Sequence, residues 1–141
     1  HCTFANFWSK DSRETHCVNI NNYVNNTVFP LDTCYFGNSI IEGSISSELA
    51  LDLKYTDVNF LPKHKFNYSC IKIGSTTDSH FTNCKFSQAV NFVNTGSYDF
   101  SVTDANSSNI NFSNATDANL FPTDINGTNR LTNPDAGAYK K

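Results

Sequence analysis

An all-β domain is what this sequence predicts: a solenoid of short stacked strands closed by an irregular C-terminal segment, with a β-sandwich of seven short strands as the alternative. Three observations point there. Asn, Ser and Thr number 20, 15 and 14, so 49 of the 141 residues compete with helix by bonding nearby backbone. Only 3 Glu and 10 Lys+Arg are present, which removes the residues that normally solvate helix faces. The apolar remainder is rich in Phe, Tyr, Val and Ile, which suit a pleated, half-buried surface.

Beyond composition, the most informative feature is a recurring phrase: a small polar residue, Cys or Ser, any residue, then a large apolar one. It reads His1-Cys2-Thr3-Phe4, Thr33-Cys34-Tyr35-Phe36, Asn38-Ser39-Ile40-Ile41, Ser69-Cys70-Ile71-Lys72 and Asn83-Cys84-Lys85-Phe86. Lys72 breaks the pattern. Alternation places residues i and i+2 on one face of a strand. Cys2, Cys34, Cys70 and Cys84 are therefore expected to point inward, beside Phe4, Phe36, Ile71 or Phe86. The spacing is irregular, as in solenoids whose loops vary on one side. Between Ser39 and Cys70 an expanded loop or hairpin is expected near 45–68, with Ala50–Tyr55 and Lys65–Tyr68 alternating like paired strands. Residues 1–90 are thus read as stacked coils and 91–141 as the last coil and its cap.

Net charge is -3, and no Lys/Arg cluster exists to neutralise phosphates, so a basic nucleic-acid module is excluded. No run of 18 apolar residues spans a bilayer. The 12 Phe and 6 Tyr argue against a disordered tail. Met is absent and the chain opens in what already reads as strand, so a piece of a longer chain is expected, its N-terminal end an exposed or partner-covered coil. The five cysteines form no C-x-x-C pair and are read as buried free thiols, with one disulfide or a metal site as lesser alternatives.

From Asn91 onward the phrase disappears and the chain becomes rich in Asn, Ser, Asp, Pro and Gly. Phe100, Val102, Ile110, Phe112, Leu120, Phe121, Ile125 and Tyr139 are spaced as anchors for it. Pro122-Thr123-Asp124-Ile125-Asn126-Gly127 reads as a turn: Pro sets φ, Asp bonds backbone two residues on, and Gly accepts φ > 0. Arg130 is expected to pair with Asp124 or Asp135. Asp135–Tyr139 is expected to add a last short strand, and the whole segment to cover the open edge of the last coil.

The order Phe92-Val93, Tyr98-Asp99-Phe100-Ser101-Val102, Ser107–Asn111, Pro122–Arg130 and Pro134-Asp135-Ala136-Gly137-Ala138-Tyr139 resembles one family's closing segment. That family comprises right-handed parallel β-helix proteins on the surface of Gram-negative bacteria, the group with a "choice-of-anchor" C-terminal region. Its ending reads approximately F-V, Y-D-F-x-L, S-P-A-I-D-x-G, P-x-D-I-x-G-x-x-R and P-D-I-G-A-Y-E. Here the S-P-A-I-D-x-G element is replaced by Ser107–Ser113, and the final Ile and Glu by Ala136 and Lys140. The resemblance implies an exported, outer-membrane-associated protein with a polysaccharide or an outer-membrane protein complex as partner.

Chemistry is sparse. His1, His16, His64 and His80 form no H-x-x-x-H or H-E-x-x-H pattern, so no metal is expected; no cofactor motif and no defined catalytic set are present. Lys63-His64-Lys65 is a minor catalytic candidate, read first as an exposed loop tip. Trp8, beside Phe7, is the candidate ligand-binding residue as a platform for a sugar ring, or else covers the side of a coil. The six N-x-S/T sequons, at Asn25, Asn67, Asn106, Asn111, Asn114 and Asn126, follow from composition. A non-catalytic surface protein that binds glycans or serves an outer-membrane assembly is the preferred expectation. The alternative is a polysaccharide lyase or glycoside hydrolase whose catalytic coils lie largely outside this stretch.

Overall fold

The computed structural model describes residues 1–56 and 58–141, with Phe60 described by its backbone only. Three parallel sheets carry the first two thirds of the chain. The first has the order β1 (Thr3–Asn6), β6 (Ile40–Gly43), β9 (Cys70–Ile71), β11 (Lys85–Phe86). The second stacks β5 (Cys34–Gly37), β8 (His64–Asn67) and β10 (Phe81–Thr82), and the third pairs β2 (Val18–Asn21) with β7 (Leu49–Asp52). Two antiparallel hairpins are added, β3 (Tyr23–Val24) with β4 (Thr27–Val28), and β12 (Phe92–Asn94) with β13 (Asp99–Val102).

The second sheet passes into the first through a corner of two residues, three times. Asn38, Tyr68 and Asn83 adopt left-handed backbone, with φ of 50°, 49° and 53°. Asn accepts that region more readily than most residues. Each is followed by a small residue, Ser39, Ser69 and Cys84, and these stack. The Ser39 amide donates to Ser69 Oγ at 3.1 Å, and the Cys2 amide to Ser39 Oγ at 3.3 Å. Backbone bonds continue through the corner, from Ile40 to Cys2, Cys70 to Ser39 and Lys85 to Ser69 (2.8–2.9 Å).

This register sorts the side chains. Phe4, Ile41, Ile71 and Phe86 share one column of the first sheet, and Thr3, Ile40, Cys70 and Lys85 the next. Successive columns face opposite sides. Ile41 and Ile71 join Phe66 and Leu49 in one core, into which Phe4, Phe36, Phe81, Cys17 and Cys84 also pack. Phe36, Phe66 and Phe81 stack at centroid spacings of 4.8 Å, the natural strand separation.

The second column faces the C-terminal segment. Ile40 and Cys70 form a core with Val90, Val102 and Ala136, flanked by Phe92, Ile110 and Phe112. At each strand the segment makes a contact: the Ala138 amide donates to Thr3 Oγ1, Ser108 Oγ reaches Cys70 Sγ, and Lys85 Nζ donates to the Ser108 carbonyl and lies over the Phe112 ring. Gly137 has φ of +98°, and a Cβ there would press on Ile40 and Thr3, so glycine permits this approach. Residues 115–120 form α1 (Ala115–Leu120), capped by Asn114, whose side chain accepts from the Thr116 and Asp117 amides.

Several expectations need correction. Cys2 is exposed and Cys34 only partly buried, while Cys84, also partly buried, does pack against the inner core as expected. Cys70 is buried, but on the outer column; Ser69 holds the position that Cys2, Ser39 and Cys84 hold in their copies. A shift of one residue exchanges the faces of a strand. The alternating stretches around Leu51 and Phe66 are strands, but of different sheets rather than partners of each other. The C-terminal segment lies across the outer face of the first sheet as far as Thr3. Within it, Asp135–Tyr139 forms no strand; its amides go to Asn109, Asn38 and Thr3. Leu120, Phe121 and Ile125 are exposed rather than anchored. The turn at 122–127 is as expected: Asp124 accepts the Asn126 and Thr128 amides and Gly127 has φ of +81°. Buried Arg130 does hold the tail, but by donating to the Gly137 and Ala138 carbonyls, not to a carboxylate.

All five cysteines are free thiols. Burial pushes the Cys70 thiol up to about 11, where almost none is thiolate at neutral pH. Iodoacetamide at pH near 7 should therefore alkylate Cys2 rapidly and leave Cys70 unlabelled until denaturant is added. Equal labelling of both in the native protein, read by mass spectrometry of peptides, would contradict the two-sided packing of the first sheet.

Candidate functional site

Trp8 follows β1 and begins a loop that returns to β2. Trp8 is 56% exposed, while its neighbour Phe7 packs on Phe92 and Phe100. The two adjacent aromatics thus divide the roles considered for Trp8: Phe7 covers the fold, and Trp8 faces solvent. Trp8 borders a depression of about 320 Å³ lined by Asn6, Asp11, Ser12, Arg13, Glu14 and Thr15. Its amide donates to Asn6 Oδ1 at 3.2 Å.

A buried ion pair secures this loop. Arg13 donates to Glu48 Oε2 and to the Asn6 carbonyl. The Glu48 side chain is fully buried and also accepts the Cys17 and Ile45 amides at 3.1 and 3.0 Å. One carboxylate therefore ties both ends of the loop to the corner before β7. Gly43 leaves room for it, since a Cβ there would strike Glu48.

A second cluster lies at the entrance to the second sheet. His64, expected on an exposed loop tip with Lys63 and Lys65, instead opens β8 and is only 4% exposed, while both lysines remain exposed. Its ring stacks on His80 with centroids 4.0 Å apart and planes 14° from parallel. Neither ring nitrogen of His64 makes a hydrogen bond of normal geometry, and the Pro62 carbonyl contributes only a weak pull toward the protonated ring. An unmatched buried polar group costs about 1–3 kcal/mol. His80 is placed by a turn in which Asp78 Oδ1 accepts both its amide (2.9 Å) and its Nδ1 (2.6 Å). The His80 amide, then its ring, hold the Asp78 carboxyl below the usual range, so it is ionised at neutral pH. Ligand atoms of His64, Asp78 and His80 all lie within 4.8 Å of one another. The cluster opens on a depression of about 400 Å³ that Cys34 also lines; Cys34 is the register partner of His64.

Sequence reasoning named His64 for the lysines beside it and passed over His80. The signal was the similarity of His64-Lys65-Phe66-Asn67-Tyr68-Ser69 and His80-Phe81-Thr82-Asn83-Cys84: both open with His and both end in the same corner. Repeats that stack bring such positions together, whereas a short-motif search sees two isolated histidines.

Removing either member of the buried pair should be costly. Arg13→Ala is expected to destabilise the fold by about 3–5 kcal/mol, because Glu48 is left charged and uncompensated. Urea denaturation followed by the fluorescence of Trp8 reads both the lost stability and the loosened loop.

Burial, then the charge of neighbouring His80, push the His64 pKa below the usual histidine range; Asp78 and the Pro62 carbonyl oppose this. The unfolded chain, with a His pKa of about 6.5, then binds the proton more readily than the native one. The stability linked to neutral His64 is complete above about pH 6.5 and is lost as pH falls below it. His64→Phe should flatten that part of the stability profile, measured between about pH 7.5 and about pH 5.5.

Comparison with family models, curated proteins and solved structures returns no match for this chain. Among the described residues, no helix is long and apolar enough to cross a membrane.

Proposed function

We propose that this chain is part of a right-handed parallel β-helix of the choice-of-anchor kind, displayed at a bacterial cell surface and binding glycan without transforming it. Its fold reading is supported by three parallel sheets in which strands from successive stretches of chain stack in register, the second and the first being joined three times by the same left-handed corner. Parallel strands of two to four residues with a crossover between each pair suit a solenoid better than a sandwich of antiparallel sheets. The closing segment, with its Asp124 turn and buried Arg130, agrees with the sequence resemblance. Export and surface location rest on that resemblance.

The observation that carries the binding function is Trp8. A large aromatic side chain is left facing solvent above a depression rimmed by amide, hydroxyl and carboxylate groups, on a loop held by a buried ion pair. Sugars present one apolar face and a ring of hydroxyls, and such a surface offers a partner for each. A preorganised loop also lowers the entropy cost of binding.

Titration with oligosaccharides of bacterial surface polysaccharides should shift the emission of Trp8, the single tryptophan. Trp8→Ala should weaken retention on immobilised polysaccharide by about ten-fold or more, equivalent to roughly 1.4 kcal/mol. Ligand recovered intact from the mixture agrees with a binding module; shortened or unsaturated products would favour the lyase or hydrolase reading. Unchanged retention by the Trp8 variant would remove Trp8 from the site.

A further inference from the structure

We propose that His64, His80 and Asp78 form a binding site for one divalent transition-metal ion of the zinc class, separate from the Trp8 surface. The ligand set is chemically apt: two imidazoles and a carboxylate suit borderline ions such as Zn²⁺ or Co²⁺ better than Ca²⁺ or Mg²⁺, which prefer oxygen alone.

The independent observation is the state of His64. Its side chain is more than nine-tenths buried, both ring nitrogens lack a partner, and it is aimed at two other ligand groups whose donor atoms lie within 4.8 Å. Buried nitrogens that nothing in the protein satisfies are matched by a water or an ion from outside. His64 is buried and held on a strand, with the Phe66 ring edge-on to it, so it is the fixed ligand. His80 and Asp78 belong to a surface turn, with side chains 38% and 39% exposed. The two rings lie nearly parallel, so in the proposed site His80 turns about its side-chain bonds to aim a ring nitrogen at the ion, which takes the place of the hydrogen bond between His80 Nδ1 and Asp78 Oδ1. The adjoining depression, bordered by Lys63 and Lys65, leaves the outer coordination positions to water or a small anion.

The ion also explains the pairing of a buried histidine with an ionised Asp78 across two successive passes of the chain: it would join β8 to the turn before β10. Its binding should therefore raise the melting temperature. It should also grow weaker as the pH falls, since protons compete with the ion for the ligand atoms.

The test uses the chain stripped of metal by chelator and dialysed. Titration with Zn²⁺ in a calorimeter should show one site in the micromolar range, and Co²⁺ should give visible absorption bands characteristic of nitrogen and oxygen ligation. In ¹⁵N spectra of the imidazoles, Zn²⁺ should move the His64 and His80 signals and leave His16 in place. His80→Gln and Asp78→Asn, both at partly exposed positions, should each weaken binding by about ten-fold or more, while His1→Gln and His16→Gln leave it unchanged. His64→Gln should abolish it, with circular dichroism reporting whether that variant folds. No binding by the folded chain means that His64 is matched by water, and the proposal fails. It also fails if His80→Gln and Asp78→Asn bind as the parent does, or if the loss follows His1 or His16.

Discussion

The corner between the second and first sheets sets the geometry from which the rest follows. A left-handed residue at Asn38, Tyr68 and Asn83 turns the chain sharply, and a small residue after it lets the next copy lie directly against it. Because Ser39, Ser69 and Cys84 occupy equivalent places, backbone bonds run unbroken from one pass to the next. Register is then specified at every strand that leaves the corner. The Phe36, Phe66 and Phe81 stack is a consequence, since each lies two residues before its corner, while the His64 and His80 rings meet one step out of register, four and three residues before theirs.

A sheet so built is apolar on both sides where Ile40 and Ile41 are adjacent, and both sides need covering. The inner column is buried by the other sheets. The outer column is buried by the C-terminal segment, which has little regular structure of its own and satisfies its backbone through side chains. Asp124 accepts three amides, from Asn126, Thr128 and Lys140. Burial opposes its ionisation, but these amides outweigh it and keep its pKa below the ordinary range. Asp135 accepts the Asn111 and Lys141 amides, and Asn38 exchanges two hydrogen bonds with the Asn114 backbone. The many Asn and Asp residues of this segment thus replace the sheet ladder as hydrogen-bond partners.

The two candidate sites use the scaffold differently. Trp8 sits on a loop between strands of different sheets, where length and sequence vary without disturbing the stack, and a single buried carboxylate, Glu48, gives that loop its position. His64 is part of the stack itself, and a residue there with unmatched nitrogens departs from the local rule that buried polar groups are paired. Such departures are where function is to be sought. The proposed Trp8 surface and the proposed metal site are therefore separable by substitution.

The sequence by itself determined that the protein is rich in strand, because Asn, Ser and Thr suppress helix and the alternating aromatic and β-branched residues suit a pleated surface. It also carried the repeated phrase at Asn38-Ser39 and Asn83-Cys84, legible as strand rather than as the left-handed corner it forms, and the Asp124 turn, which is set by φ preferences and bonds a few residues apart. What it did not decide was face. Cys70 follows Ser69 by one position, and that single step sends it outward against Ser108 rather than inward. Nor did it decide which strands pair: Leu51 and Phe66 lie close in sequence, yet each meets a strand from an earlier pass. The neighbours of Glu48, His64 and Arg130 lie 35, 16 and 129 residues away, at Arg13, His80 and His1. Contacts over such distances are chosen by how passes of chain stack and which face must be covered, and only the tertiary structure settles that.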